Sequence, residues 1–444
     1  MSVALGRTFA SLSVPNYRRY FTGQAVSISG NWMQTVAEMW LIVQLTGSGV
    51  SVGITAGLQF LPVLLFGAWG GVLADRLPKR TLLTCTQLLM AIPALALWAL
   101  TASGHVEAWM VFALVLARGS ITALDNPARQ AFVTEMGGRE RVVNAVALNS
   151  VVVHTARIVG PATAGAVIAL VGVSTCFVIN AATFLVMIAA LRLMDPRALR
   201  TPERAPREPG QLRSALAYVA RTPALSIPLA MMALVGTISY NFQVLLPLLA
   251  AHTWHGTATT YAMLTAAMGV GSVSGALAAS ARGRVSPRLL VAAATAFALA
   301  ELLVALAPTL PLQVLALLPL GAASVTFAAG VNSSLQLAVD PAMRGRVMAL
   351  YSVVFLGSTP IGAPAVGWLA EVAGPRSGLL AGAAAAGIAA LAARFAWRRA
   401  EAPVPVASAS ALRRLPPRGR AVAGPVIEPG RDRRRREHVV AREE

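Results

Sequence analysis

Apolar runs of about 20 residues return along the chain at short intervals, and some of them carry polar residues at regular steps. The runs predict helices over 20–45, 52–74, 82–103, 108–132, 142–170, 172–193, 224–250, 258–281, 287–307, 311–336, 344–370 and 377–397. About 20 apolar residues in a helix are enough to cross a hydrocarbon core about 30 Å thick. A helix also satisfies its own backbone hydrogen bonds there. The pattern therefore predicts an all-α membrane protein with twelve transmembrane helices and both termini on one side.

The polar interruptions follow helical spacing. In the first span Gln24, Ser27, Asn31, Gln34 and Glu38 step by 3, 4, 3 and 4, so they share one face. The fourth span repeats this with Arg118, Thr122, Asp125 and Arg129, and the fifth with Ser150, His154, Arg157 and Pro161. An ionised group at the bilayer centre costs at least about 2.5–3.5 kcal/mol, so such stripes must face protein or a water-filled cavity. Arg118 and Asp125 are seven residues apart, about 10 Å along a helix, so each needs partners on other helices. Arg118 is assigned to a central site with Glu38, His154 and Arg157, the set expected to handle protons. Glu38 is the expected carrier, a carboxyl that loads and unloads as the cavity switches sides; the alternative is a glutamate open to water near a span end. Asp125 and Arg129 are assigned to a charge cluster at the basic end, or else to a buried pair that fixes helix register. Glu301, near the end of the ninth span, reads as structural.

Charge sets the orientation. Arg76, Lys79 and Arg80, then Arg139 and Arg141, Arg192 through Arg221, Arg282 through Arg288, and Arg344 with Arg346 all fall on one family of loops. The opposite loops hold Arg376 alone. The positive-inside rule then puts both termini in the cytoplasm of a multi-pass protein of the cytoplasmic membrane. Only 12% of residues are charged against 56% hydrophobic, about half the charged share of a soluble domain. The net charge of +19 sits in these loops and in the last 50 residues, which argues against a nucleic-acid partner. Cys85 and Cys176 have no metal-ligand spacing, and no metal site is expected. The expected organisation is a first bundle over 1–193, a cytoplasmic linker over 194–222 ending in a short surface helix, a second bundle over 223–397, and a disordered basic tail over 398–444 drawn to anionic headgroups. A monomer is expected.

The two halves repeat each other. LNSVV at 148–152 matches LYSVV at 350–354, an offset of 202, and Gly119, Gly160 and Gly165 match Gly321, Gly362 and Gly367. At an offset of 204, Gly67 and Gly71 match Gly271 and Gly275, each pair a G-x-x-x-G of the kind that lets helices approach closely. The second half has Leu356 and Thr359 where the first has His154 and Arg157. Its cavity candidates are neutral: Tyr240, Asn241, Gln243, Asn332 and Gln336. With Asn31, Gln34 and Thr122 they form the expected substrate cavity, the first half handling protons and the second contacting substrate.

Between the second and third spans the chain reads GVLADRLPKRTLL, and Gly71, Leu73, Ala74, Asp75, Arg76, Lys79 and Arg80 fit the loop signature of the major facilitator superfamily, with Pro78 in place of the usual glycine. ARIVGPATAG at 156–165 is similar to that superfamily's antiporter motif through Gly160, Pro161 and Gly165. PNYRRYFTGQAVSISGNWMQ, WLIVQLTGS and DNPARQAF resemble its enterobactin- and drug-exporter branch. The resemblance implies two pseudo-symmetric six-helix bundles and alternating access, driven by the proton gradient with no bound cofactor. It also implies a conformational latch of Gly71, Asp75, Arg76 and Arg80 with Asp125 and Arg129. The expected function is export of a small amphipathic molecule such as a drug, siderophore or secondary metabolite. The alternatives are a proton-coupled importer and a non-transporting receptor. No HExxH, GxSxG or Cys/His pairing marks an enzyme.

Overall fold

The computed structural model describes residues 10–199, 211–282, 286–341 and 343–401. The expected tail lies outside them beyond Glu401, as do much of the linker and the side chains of Asp75 and His154. Residues 1–400 form one compact unit.

The structure is built from helices: α1 (Pro15–Thr46), α2 (Gly49–Arg76), α3 (Lys79–Ala102), α4 (Ala108–Val171), α5 (Val173–Arg192), α6 (Gln211–Arg221), α7 (Pro223–Ile238), α8 (Phe242–Leu248), α9 (Ala258–Arg282), α10 (Pro287–Leu306), α11 (Leu310–Ala338), α12 (Arg344–Gly357), α13 (Thr359–Ala373) and α14 (Pro375–Glu401). Local sequence sets many of the ends. Pro15, Pro223 and Pro287 start helices where their missing N–H costs nothing. Ser48 and Ser286 cap α2 and α10 through their hydroxyls. Gly47, at φ +60°, ends α1 in a left-handed turn.

Among the described residues, eleven segments are long and apolar enough to cross a membrane. α1 is not one of them. Its 32 residues would reach about 48 Å, but its polar stripe lowers its hydropathy.

Five predicted spans differ in detail. The fourth and fifth belong to one 64-residue helical run, α4. Its contacts require it to double back. Arg118 meets Glu38 of α1, Phe132 meets Tyr20, the Ala145 carbonyl takes the Tyr17 hydroxyl, and Gly160 lies on Ser29 and Trp32. The run descends α1 as one limb and climbs it as another, reversing between Phe132 and Asn144. The seventh span breaks into α7 and α8 at Ser239–Asn241, where the Asn241 amide donates to the carbonyls of Thr237 and Ile238. The eleventh breaks at Ser358, ahead of Pro360. The last helix runs past the predicted 397 to Glu401.

The repeated glycines play matching parts. A Cβ on Gly119 would meet the Gln59 carbonyl of α2 at 2.6 Å, and one on Gly321 would strike the Met268 carbonyl of α9. Gly160 faces α1 and Gly362 faces Thr237 of α7. Gly165 and Gly367 both pack across the halves, on Ala262 of α9 and on Gly49 of α2. The G-x-x-x-G pairs do not match in this way. Gly271 and Gly275 pack on α11, whereas a Cβ on Gly71 would meet nothing within 4 Å and Gly70 makes the close contact instead.

Candidate functional site

The α1 stripe bonds to its neighbours in three polar layers. In the first, the Gln24 amide donates to Asn149 on the second limb of α4. In the second, the Ser27 hydroxyl donates to Gln87 of α3 at 3.2 Å, and the Gln87 amide donates to Asp125 at 3.0 Å. The third layer is the longest. Thr183 of α5 donates to Asn180 at 2.8 Å, and Asn180 donates to Gln34 at 2.5 Å. Gln34 donates to Glu38 at 2.7 Å, and Glu38 takes the Arg118 guanidinium at 2.5 Å. Glu38 has no exposed surface and Arg118 has 5%, so the water-exposed alternative for Glu38 does not describe this conformation. Gly30 leaves room for the chain: a Cβ there would collide with Asn180 and Thr183.

A buried ion pair is held by geometry rather than by net attraction, since desolvation offsets most of the Coulomb gain. Removing one partner strands the other. Each charge here is therefore tied to the state of its neighbour, the property a proton-coupled site requires.

The other candidates fall in several places. Asp125 pairs with Arg129 one turn along and accepts from Thr86 at 2.6 Å. Arg80 does not join them: its guanidinium caps α5 through the carbonyls of Leu191 and Arg192, at 2.8 and 2.9 Å. Arg76 is exposed. The described latch residues are thus not brought together here. Lys79 bonds to Glu135 at 3.2 Å instead. Thr122 donates to the Arg118 carbonyl, and Asn31 lies 3.5 Å from Asn180. Arg157 stacks over the Trp32 ring, 5.3 Å from its centroid.

In the C-terminal half Tyr240 donates to the Ser324 carbonyl at 2.5 Å and sits among Phe242, Phe297 and Phe355, with centroids 5.2–6.3 Å away. Asn332 accepts from Gln336 at 2.5 Å. Gln243 is half-buried, while Asn241 is buried and caps its own helix break. Glu301 is fully buried against Gly382, and neither carboxyl oxygen has a partner. Among the described residues no group of acids, histidines or cysteines could hold a metal.

The sequence reading missed Asn180, Thr183, Thr86, Gln87 and Asn149. Asn180 carried a signal, a lone amide in the apolar run 172–193.

The two halves meet tightly at the end carrying residues 46–51. The Glu371 carboxylate of α13 accepts from the Ser48 hydroxyl at 2.6 Å and the Val50 N–H at 3.0 Å. Gly49 and Gly53 lie against Gly367 and Ala363, and Trp40 stacks on Tyr261. At the basic end Gly71 and Gly345 face open space. The described contacts between the halves are thus densest at the end carrying residues 46–51.

The chain is similar to solved transporters across its helical part. A bacterial homologue of the human lysosomal transporter Spinster, inward-facing and unoccupied, superposes with a TM-score of 0.71 at 13% identity, covering 86% of this chain and 97% of that one. The nucleoside transporter NupG (D323A mutant) gives 0.68 at 16%, covering 86% and 100%. At these identities the likeness concerns the fold. Among curated relatives, the staphyloferrin A transporter of Staphylococcus aureus is 26% identical over 42% of this chain; the chain spans about half of that relative, 48%. The multidrug efflux pump Tap of Mycolicibacterium fortuitum is 27% identical over 80% of this chain and 88% of its own length. The enterobactin exporter EntS of Citrobacter koseri is 27% identical over 81% and 86%. The family profile described as "Transmembrane secretion effector" matches residues 6–417, nearly the whole chain. This chain belongs to that family, a branch of the major facilitator superfamily of membrane transporters.

Proposed function

We propose that this protein is a secondary active exporter of a small amphipathic molecule, working by alternating access with proton antiport across the cytoplasmic membrane. The carrying observation is the sealed Glu38–Arg118 pair at the end of the Thr183–Asn180–Gln34 chain. A proton arriving at Glu38 removes the charge that balances Arg118. The pair then loosens, and the group is poised to change sides with the halves. Relatives named as an enterobactin exporter, a multidrug efflux pump and a macrolide efflux protein support the direction of movement.

The architecture is read as twelve spans in two bundles. α1, α2, α3, the two limbs of α4 and α5 form the first. α7 with α8, α9, α10, α11, α12 with α13, and α14 form the second. The basic loops face the cytoplasm, so the glycine-packed end is periplasmic and the conformation is inward-open. In the outward-open state Gly71, Asp75 and Arg76 close against the second bundle and Asp125 and Arg129 brace them. The basic tail rests on anionic headgroups, and the protein works as a monomer with no cofactor.

The test is efflux in a strain lacking its own pumps, followed by reconstitution with an imposed pH gradient. Glu38→Gln should abolish gradient-driven export while leaving substrate binding intact. Full pH-driven export by that variant rules the proton role out, and uptake rather than expulsion by the wild type rules out export.

A further inference from the structure

Three buried cations have carboxylate partners: Arg118 has Glu38, Arg129 has Asp125 and Lys79 has Glu135. Half-buried Arg157 has none among the described residues. Among the described residues its guanidinium makes neither an ion pair nor a hydrogen bond, and its Nε is buried without a partner. What touches it is aromatic, the face of Trp32 on α1. Its backbone rests on the other half, where a Cβ on Gly269 of α9 would meet the Arg157 carbonyl at 3.1 Å. The Tyr240 hydroxyl lies within its electrostatic reach. Glu301 also lies near Tyr240, but it is sealed against Gly382 and bonds to nothing. Arg157 therefore stands at the seam of the two halves as an uncompensated charge.

A guanidinium keeps its charge, so Arg157 favours a partner that brings a negative one. Its planar fork matches a carboxylate through two parallel hydrogen bonds. The Trp32 ring lies over it, and the second half carries a ring cluster in which Tyr240 packs on Phe355, itself stacked on Tyr351 with centroids 5.9 Å apart. Rings of this kind suit a flat apolar body.

We propose that Arg157, with Trp32 beside it, anchors the acidic group of the transported molecule, so that the substrates are carboxylate-type anions on an aromatic or apolar frame. This names a substrate class for the export reading above and rests on it.

The probes are naphthoate and naphthamide, which share a ring system and differ in charge. Their binding to the purified full chain is read as ligand-induced thermal stabilisation. The wild type should bind naphthoate at least about tenfold more tightly than naphthamide, the scale of one charge-assisted hydrogen-bond pair. Arg157→Gln should make the two equal. Arg157→Lys should keep the preference at lower affinity. Equal affinities in the wild type, no naphthoate binding, or a preference that survives Arg157→Gln would each overturn the proposal. The wild-type comparison needs no variant to fold. Binding is measured without a gradient, so its failure sinks the anion site and leaves export standing. A wild type that prefers naphthoate but expels nothing sinks export alone.

Discussion

In the N-terminal half, α1 is tied to α3, α4 and α5 by amides, hydroxyls and a charge pair. In the C-terminal half the matching helix breaks at Ser239–Asn241, where a tyrosine sits among phenylalanines. At the repeat offset of 202 Tyr240 stands where Glu38 stands. Gly119, Gly160 and Gly165 have counterparts in Gly321, Gly362 and Gly367 that also make close contacts, so part of the backbone approach is duplicated. The chemistry carried on that frame has diverged. One half holds a buried pair of opposite charges at this place; the other sets a cluster of aromatic rings there.

That division can be broken at three points of decreasing effect. Arg118→Leu strands the Glu38 carboxylate and should cost about 3–5 kcal/mol, the scale for removing one partner of a buried pair. Expression and thermal melting read the loss, and pairing it with Glu38→Gln should recover much of it. Unchanged melting in Arg118→Leu alone would mean that the pair is not sealed as described. Tyr240→Ala removes the centre of the aromatic cluster and should weaken substrate binding by about 1–3 kcal/mol while leaving proton coupling in place. Asn332→Ala should act in the same direction with less effect; unchanged affinity in both would move the substrate surface elsewhere. Glu371→Gln weakens the clasp on α2 by about 0.5–1.5 kcal/mol, the net worth of an ordinary hydrogen bond. It should shift the population toward opening at that end, seen as faster labelling of a cysteine placed at Val50. A rate equal to that of the parent would show that the clasp does not hold the end shut.

The stripe of α1 was legible because polar side chains at steps of 3 and 4 are costly in a span unless they share a sheltered face. The same argument required a partner from another helix for Arg118, but it could not choose Glu38 over other acids, since pairing across helices depends on packing. Asn180 escaped notice because one amide in an apolar run makes no periodicity. The break at Ser358 had a local cue in Pro360, whereas that at Ser239–Asn241 arises from an asparagine competing for its own helix's carbonyls. The place of Arg80 in this conformation is not legible from the loop motif, because its long side chain reaches the free carbonyls at the end of α5.

At the closed end, Gly49, Gly53 and Gly367 bring main chain against main chain. Such a seam has no rotamers with which to yield by degrees. Parting it by a fraction of an ångström forfeits contact along its whole length, so a partly separated backbone seam is penalised. The Glu371 carboxylate is the flexible piece of that closure, and it can let go before the backbones separate.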